Sequence, residues 1–319
     1  MSFSLLADES VEDGIKRIVS EEVSQAIKEI DNPRMKRSEA IHEVRKHCKK
    51  IRGVLRLVRP QFEETYQFEN VWFRDTAKGL AELRDAEAII ETDDSLLDQF
   101  DDQVERRAFA PIRRALTLRR EKLIAANGDL NQKLKKIRAR MEKAAGRVVD
   151  WQLNVEEFDG IERGFVATYR RARKTMATAY NDPTAENFHE WRKQAKYHYY
   201  HMELLRELWK PVMRSLVKEA DDLSDLLGDD HNLDVLHKTL LKSPKQYGKK
   251  RDIQVLVGLI DRRSAELRVE ANTIGARVFA ERPKAFGRRF RHYWETWRSE
   301  AQLPPKKLSE EPGVVTAAA

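Results

Sequence analysis

The sequence predicts an all-α protein built from two related halves. Three observations lead there. No stretch shows the apolar–polar alternation of a half-buried strand, whereas apolar residues recur at three- and four-residue steps along most of the chain. Glycine and proline, which interrupt helices, number only 13 and 10 in 319 residues and fall mostly between the periodic segments. The chain also repeats itself. "HEVRK" from His42 recurs as "HEWRK" from His189, and "LAELRDAEA" from Leu80 meets "LGDDHNLDV" from Leu227, both at an offset of 147 residues.

Taken in order, a first helix over 11–30 ends at "DNP", Asp31–Pro33. Helices over 36–58, 67–91 and 96–126 follow, and "NGD" at Asn127–Asp129 closes the series. A helix over 131–149 then reads as a linker. The second series opens with 156–180, which "NDP" at Asn181–Pro183 ends. Segments 185–209 and 212–241 lead to the break "SPKQYG", and 249–281 and 283–300 complete the set. In the shared register Lys49 falls on Lys196 and Leu57 on Leu204, and the "DNP" and "NDP" turns precede the repeated motifs at an offset of 150. Two motif matches at one spacing, with a shared turn signal upstream, argue for duplication. The expected division is one domain over 1–302, with repeats at 11–126 and 156–300. Residues 303–319 carry no apolar period and read as a disordered tail.

Composition narrows the function. At 41% hydrophobic and 35% charged, the chain buries a core beneath an ionic surface. Lys and Arg total 60 against 53 acids, a net charge of +7 that points mildly toward an anionic partner. The single cysteine, Cys48, excludes an internal disulfide and fits a reducing compartment. The N-terminal residues lack the basic and apolar regions of a signal peptide, and no run of 18 uncharged apolar residues offers a membrane span. A cytoplasmic protein is expected.

The charge is concentrated. His42, Arg45, Lys49, Arg52 and Arg56 follow at steps of three, four, three and four. On a helix they share about 80° of arc and form a cationic face about 21 Å long. Ile41, Val44, Cys48, Ile51, Leu55 and Val58 occupy the neighbouring arc, so the cations lie on the shoulder of the core, at the edge of a groove. Like charges spaced so closely repel by a few tenths of a kcal/mol per pair, a penalty that a bound polyanion would cancel. The plain alternative is a solvated face whose long side chains lie over the core. The second copy argues against it, because His189, Arg192 and Lys196 repeat the wheel positions of His42, Arg45 and Lys49.

Here the sequence resembles the CHAD family, the "conserved histidine α-helical domain". The resemblance rests on "IHEVRKHCKKIRGVLRL", "LRDAEAI", "FHEWRKQAKYHYYHMELL" and "LLGDDHNLDVL", and it extends from about Val11 to Trp297. It implies two pseudo-symmetric four-helix bundles around a central basic groove or pore that binds inorganic polyphosphate or related phosphate-rich anions. Association with polyphosphate granules belongs to the same expectation. This chain departs from the family pattern in its second half. Tyr199 and Glu203 stand where the first copy has Arg52 and Arg56, and Asn232 stands at the position of Asp85. The first half is therefore expected to contribute more to the anion site.

The candidate polyphosphate ligands are His42, Arg45, Lys49, Arg52 and Arg56 from the first stripe, and His189, Arg192, Lys193 and Lys196 from the second. Lys78 and Arg84 join them, and so does Tyr200, a match to the family's tyrosine whose hydroxyl offers a donor. Arginine presents forked donors to phosphate, lysine a point charge, and histidine a ring N–H. Asp85 is read as orienting a neighbouring cation. No cofactor is implied, no metal ligands are assigned, and the oligomeric state is left open. Signs of an enzyme are poor: there is no glycine-rich phosphate loop, no His-Glu-x-x-His and no cysteine-based zinc pattern. "GDDHN" at Gly228–Asn232 places two carboxylates beside a histidine, but successive helical residues point in different directions. A metal-dependent phosphohydrolase and a nucleic-acid-binding helical protein stand as the alternatives to non-enzymatic polyphosphate binding.

Overall fold

Eleven α-helices account for almost all of the structure, a computed structural model that describes residues 3–153 and 157–302. The sequence positions the helix ends by ordinary means. Ser10 caps α1 (Val11–Asp31) by accepting from the Asp13 amide, and Thr184 caps α8 (Ala185–Leu204) in the same way from Asn187. Asp129 caps α6 (Leu130–Val148) after a turn in which Gly128 holds a φ of 68°. The tail read as disordered, 303–319, lies outside the described residues.

The expected helix 185–209 ends at Leu204, and the largest differences from the sequence reading lie between residues 63 and 126. The expected helix over 67–91 is divided into α3 (Glu63–Lys78) and α4 (Ala81–Gln99). The division is held open by α2 (Arg37–Val58), whose Arg45 donates from Nη1 to the Ala77 carbonyl at 2.6 Å. The break expected near 92–95 is absent: α4 continues to Gln99, and α5 (Ala110–Ala126) begins only where Pro111 fits the first turn of a helix. In the second half one uninterrupted helix, α9 (Lys210–Lys242), covers the ground of α3 and α4, and Lys210 lies 147 residues after Glu63.

The halves correspond helix by helix. α7 (Asp159–Asn181) answers α1, α8 answers α2, and α10 (Lys250–Val278) answers α5. α6 packs along α1, as α11 (Pro283–Gln302) packs along α7, so the helix between the halves also closes the first of them. The apolar interior forms two clusters. The larger joins α1, α2, α3, α6, α7, α8 and α11 with the first half of α9, and takes in Leu83 of α4 and Ala271 of α10. The smaller unites the far ends of α4 and α5 with those of α9 and α10. Both draw on both halves, so neither half owns its core. No described helix is long and apolar enough to cross a membrane.

The smaller cluster contains an anomaly. Asp93 is fully buried beside it, and neither of its carboxylate oxygens has a hydrogen-bond partner among the described residues. Burial, then Asp94, pushes its carboxyl up to about 7. Its counterpart in the second repeat, 147 residues on, is the buried Leu240. The folded pKa lies above the unfolded value, so the folded state binds the proton more tightly. The contribution of Asp93 to stability is then fully present below about pH 4 and is lost as pH rises through 7. Asp93→Asn is expected to be more stable than the parent by about 2 kcal/mol at pH 8. Urea denaturation at pH 5 and pH 8 checks this: the parent should weaken between the two and the variant should not.

Candidate anion-binding site

Two helices carry the repeated histidine–arginine–lysine pattern, and they meet. α2 and α8 pack against each other where Gly53 faces Tyr200. A Cβ on Gly53 would stand 3.0 Å from the Cβ of Tyr200, so only glycine admits the tyrosine ring. His201 donates from Nε2 to the Gly53 carbonyl at 2.9 Å. Gly53 and Tyr200 are themselves 147 residues apart. Equivalent positions in direct contact place the pseudo-two-fold axis at this crossing.

Beside the crossing the cations of the two repeats gather. Lys49 is open to solvent yet set among protein, and Arg192, Arg45 and Lys196 all act on it. Loss of hydration, then the repulsion of Arg192, pushes its amine down from 10.5 to about 7. Arg192 lies over Gly228, where a Cβ would come within 3.8 Å of Nε. That Nε is buried and has no partner among the described residues. Arg45 and Arg192 are both pushed below the usual guanidinium range, chiefly by burial, and Asp85 pulls each back up. Partly desolvated, mutually repelling cations with an unpaired donor among the described residues form an arrangement that an anion would stabilise.

The surroundings are not uniformly basic. α9 brings Asp221, Asp225 and Asp229 at four-residue steps to the same region. Lys196 Nζ lies 3.4 Å from Asp221 and 3.9 Å from Asp225. The Asp225 and Asp229 carboxyls are raised by burial and then by a neighbouring aspartate. Arg263, on α10, faces Asp229 and was not foreseen from sequence. Asp229, read from the sequence only as a carboxylate of "GDDHN", shares a helix face with Asp221 and Asp225 at four-residue steps.

The two histidines of the motif hold matching positions. Arg84 donates from Nε to His42 Nδ1 at 2.8 Å, and His189 Nδ1 meets His231 Nδ1 at 3.1 Å. His231 stands 147 residues after Arg84, so the duplication is visible in contacts as well as in sequence. Because His42 accepts at Nδ1, its proton sits on Nε2, the donor left for an anion. Burial lowers both motif histidines below the ordinary value, with Arg84 acting next on His42 and Lys193 on His189.

The remaining candidates are dispersed. Arg52 donates to Asn70 on α3 at 3.0 Å, and Arg56 stacks over Tyr197, 4.0 Å from its centroid. Lys193 pairs with Glu190 on its own helix, and Arg84 also binds Glu91. Lys78 is exposed at the end of α3. Tyr200 is 3% exposed: its ring fills the space above Gly53 and packs edge-on against Phe3, and its phenol acts on Arg192.

Fold and site together define a duplicated helical protein with the cations of both repeats paired at its centre. The family model for the CHAD domain matches residues 17–241, and the chain belongs to the CHAD domain family. Among solved structures, it is similar to the CHAD domain from the plant Ricinus communis. The TM-score is 0.58 at 16% identity, over 88% of this chain and 96% of that one, a likeness of fold. No curated protein matches the sequence.

Proposed function

We propose that this protein binds inorganic polyphosphate, or a similarly phosphate-rich anion, between α2 and α8, and does so without catalysis. The observation that carries the reading is the convergence of Arg45, Lys49, Arg192 and Lys196 from both repeats, with an orphaned Arg192 Nε among them. A chain of phosphates supplies closely spaced oxygens that answer several such donors at once. Arg52, Arg56, Arg84, Lys78, Lys193, His42 and His189 extend the positive surface outward from this centre. A cytoplasmic location agrees with the single thiol of Cys48, which is buried and free.

The hydrolase alternative loses its ligands to other partners. Asp230 is buried against Arg268 at 2.9 Å, whereas Asp229 faces Arg192 and Arg263, so the two carboxylates diverge. The test is competition, at fixed salt, among long-chain polyphosphate, short oligophosphates and duplex DNA. Long-chain polyphosphate is expected to bind tightest and to release no phosphate. Preference for DNA, or phosphate release on adding divalent metal, would overturn the reading.

Two further outcomes follow from the charges. The Lys49 amine is held well below the ordinary lysine value, and only its ammonium form attracts an anion. Binding should therefore strengthen as pH falls from 8.5 to 6.5, and Lys49→Met should flatten that dependence. Asp221 and Asp225 hold Lys196 and repel a polyanion. Asp221→Asn with Asp225→Asn is expected to tighten binding by about ten-fold, read by titration at constant salt.

A further inference from the structure

On the opposite side of α2 from its anion-facing stripe lies a cluster with a different chemistry. We propose that Glu29, Glu43 and His47 form a binding site for one divalent transition-metal ion, best matched by Zn²⁺. Each of the three offers one ligand atom, and these atoms all lie within 4.8 Å of one another. Glu43 and His47 stand one turn apart on α2, and Glu29 reaches in from α1. His47 Nε2 is 3.0 Å from Glu29 Oε2. Neighbouring ligands on a tetrahedral zinc ion are separated by about 3.4 Å, so small side-chain movements close the site.

The atoms not offered to the centre are held from behind. His47 Nδ1 faces Glu22 Oε2 at 2.5 Å, and Lys50 in turn holds Glu22 Oε1 at 3.2 Å. Gln25 donates to Glu29 Oε1 at 3.3 Å, and Lys46 to Glu43 Oε2 at 3.0 Å. A carboxylate behind the outer ring nitrogen holds a proton on Nδ1 and turns Nε2 toward Glu29, the arrangement found behind metal-ligating histidines. Two carboxylates and one imidazole leave a fourth position for water. In the metal-free protein a protonated His47 donating to Glu22 and Glu29 fits the same contacts, so a bound metal takes the place of the proton on Nε2.

The site is reachable. The side chains of Glu29 and Glu43 are 12% and 24% exposed. An ion there would clamp α1 to α2 and steady the helix that carries the anion-facing stripe. The inference does not depend on what that stripe binds.

The experiment is titration of the metal-stripped full chain with Zn²⁺, without polyphosphate, followed by calorimetry and by melting temperature. One equivalent should bind, and the melting temperature should rise with free Zn²⁺. Glu29→Gln with Glu43→Gln keeps shape and hydrogen bonding but removes both anionic ligands, and should weaken binding by about 100-fold or more. Were that variant to misfold, Co²⁺ bound to the parent chain decides: four-coordinate Co²⁺ with mixed N and O ligands has a strong visible spectrum. Sub-stoichiometric binding without a melting shift, an unaltered affinity in the double variant, or an octahedral Co²⁺ spectrum would overturn the proposal. So would loss of binding on His231→Ala, which would move the ion to the second histidine pair.

Discussion

Replacing Lys49 and Arg192 together with alanine should weaken long-chain polyphosphate binding by about a hundred-fold or more. Each charge-assisted hydrogen bond contributes about 1.5–3 kcal/mol, and the variant removes one from each repeat. The slope of log affinity against log salt should flatten by somewhat under two units, because two fewer counter-ions are released. Fold stability should not fall with it. Arg192 buries an unpartnered Nε and Lys49 sits among like charges, so their removal relieves desolvation and repulsion. Arg52→Ala should do much less, since Arg52 is already engaged with Asn70. Lys306→Ala with Lys307→Ala removes equal charge from outside the described residues and serves as the control. Equal losses from the two double variants would mean diffuse attraction to net charge, and the central site would be wrong.

Gly164→Ala should prevent stable folding. Gly164 lies on α7, where that helix meets α2 at backbone distance. A Cβ at this position would stand 1.9 Å from the Leu57 carbonyl oxygen and 2.7 Å from that of Arg56. These are backbone atoms inside a helix and cannot swing aside, so the two helices must separate and the larger core must open. A loss above about 4 kcal/mol is expected, enough to unfold many domains. Thermal melts by circular dichroism check it. Gly258→Ala on α10 is the contrast: a Cβ there meets nothing within 4 Å, and the change should stabilise by about 1 kcal/mol. Comparable behaviour of the two variants would show that the α2–α7 approach is looser than described.

Much of the fold was legible because helices record themselves locally. The three- and four-residue steps, the sparse glycine and proline, and turns such as "DNP" and "NGD" mark helices without reference to distant residues. The 147-residue offset identified the duplication, and the structure repeats it in the Arg84–His42 and His231–His189 contacts. The largest boundary differences have distant causes. Arg45 from α2 binds the last turn of α3 where the chain breaks, and α4 passes through the expected break with Ile89, Ile90, Leu96 and Leu97 packed in one cluster with residues of α9 and α10.

By itself the sequence determined an all-helical, duplicated chain of the CHAD domain family, and it determined which face of α2 and α8 carries the cations. Periodicity fixes a side chain's direction from its own helix axis, and nothing more. Which of those cations come together was decided by tertiary structure alone. The crossing at Gly53 and Tyr200 draws Lys49 and Arg192 toward one another, sends Tyr200 into the core, and lets α9 add its aspartates. The Glu29–Glu43–His47 cluster has the same origin, since its ligands arrive from two helices whose separation only their packing sets. Convergence of charge depends on distances between helices, and those are set by the volumes of the side chains at each crossing.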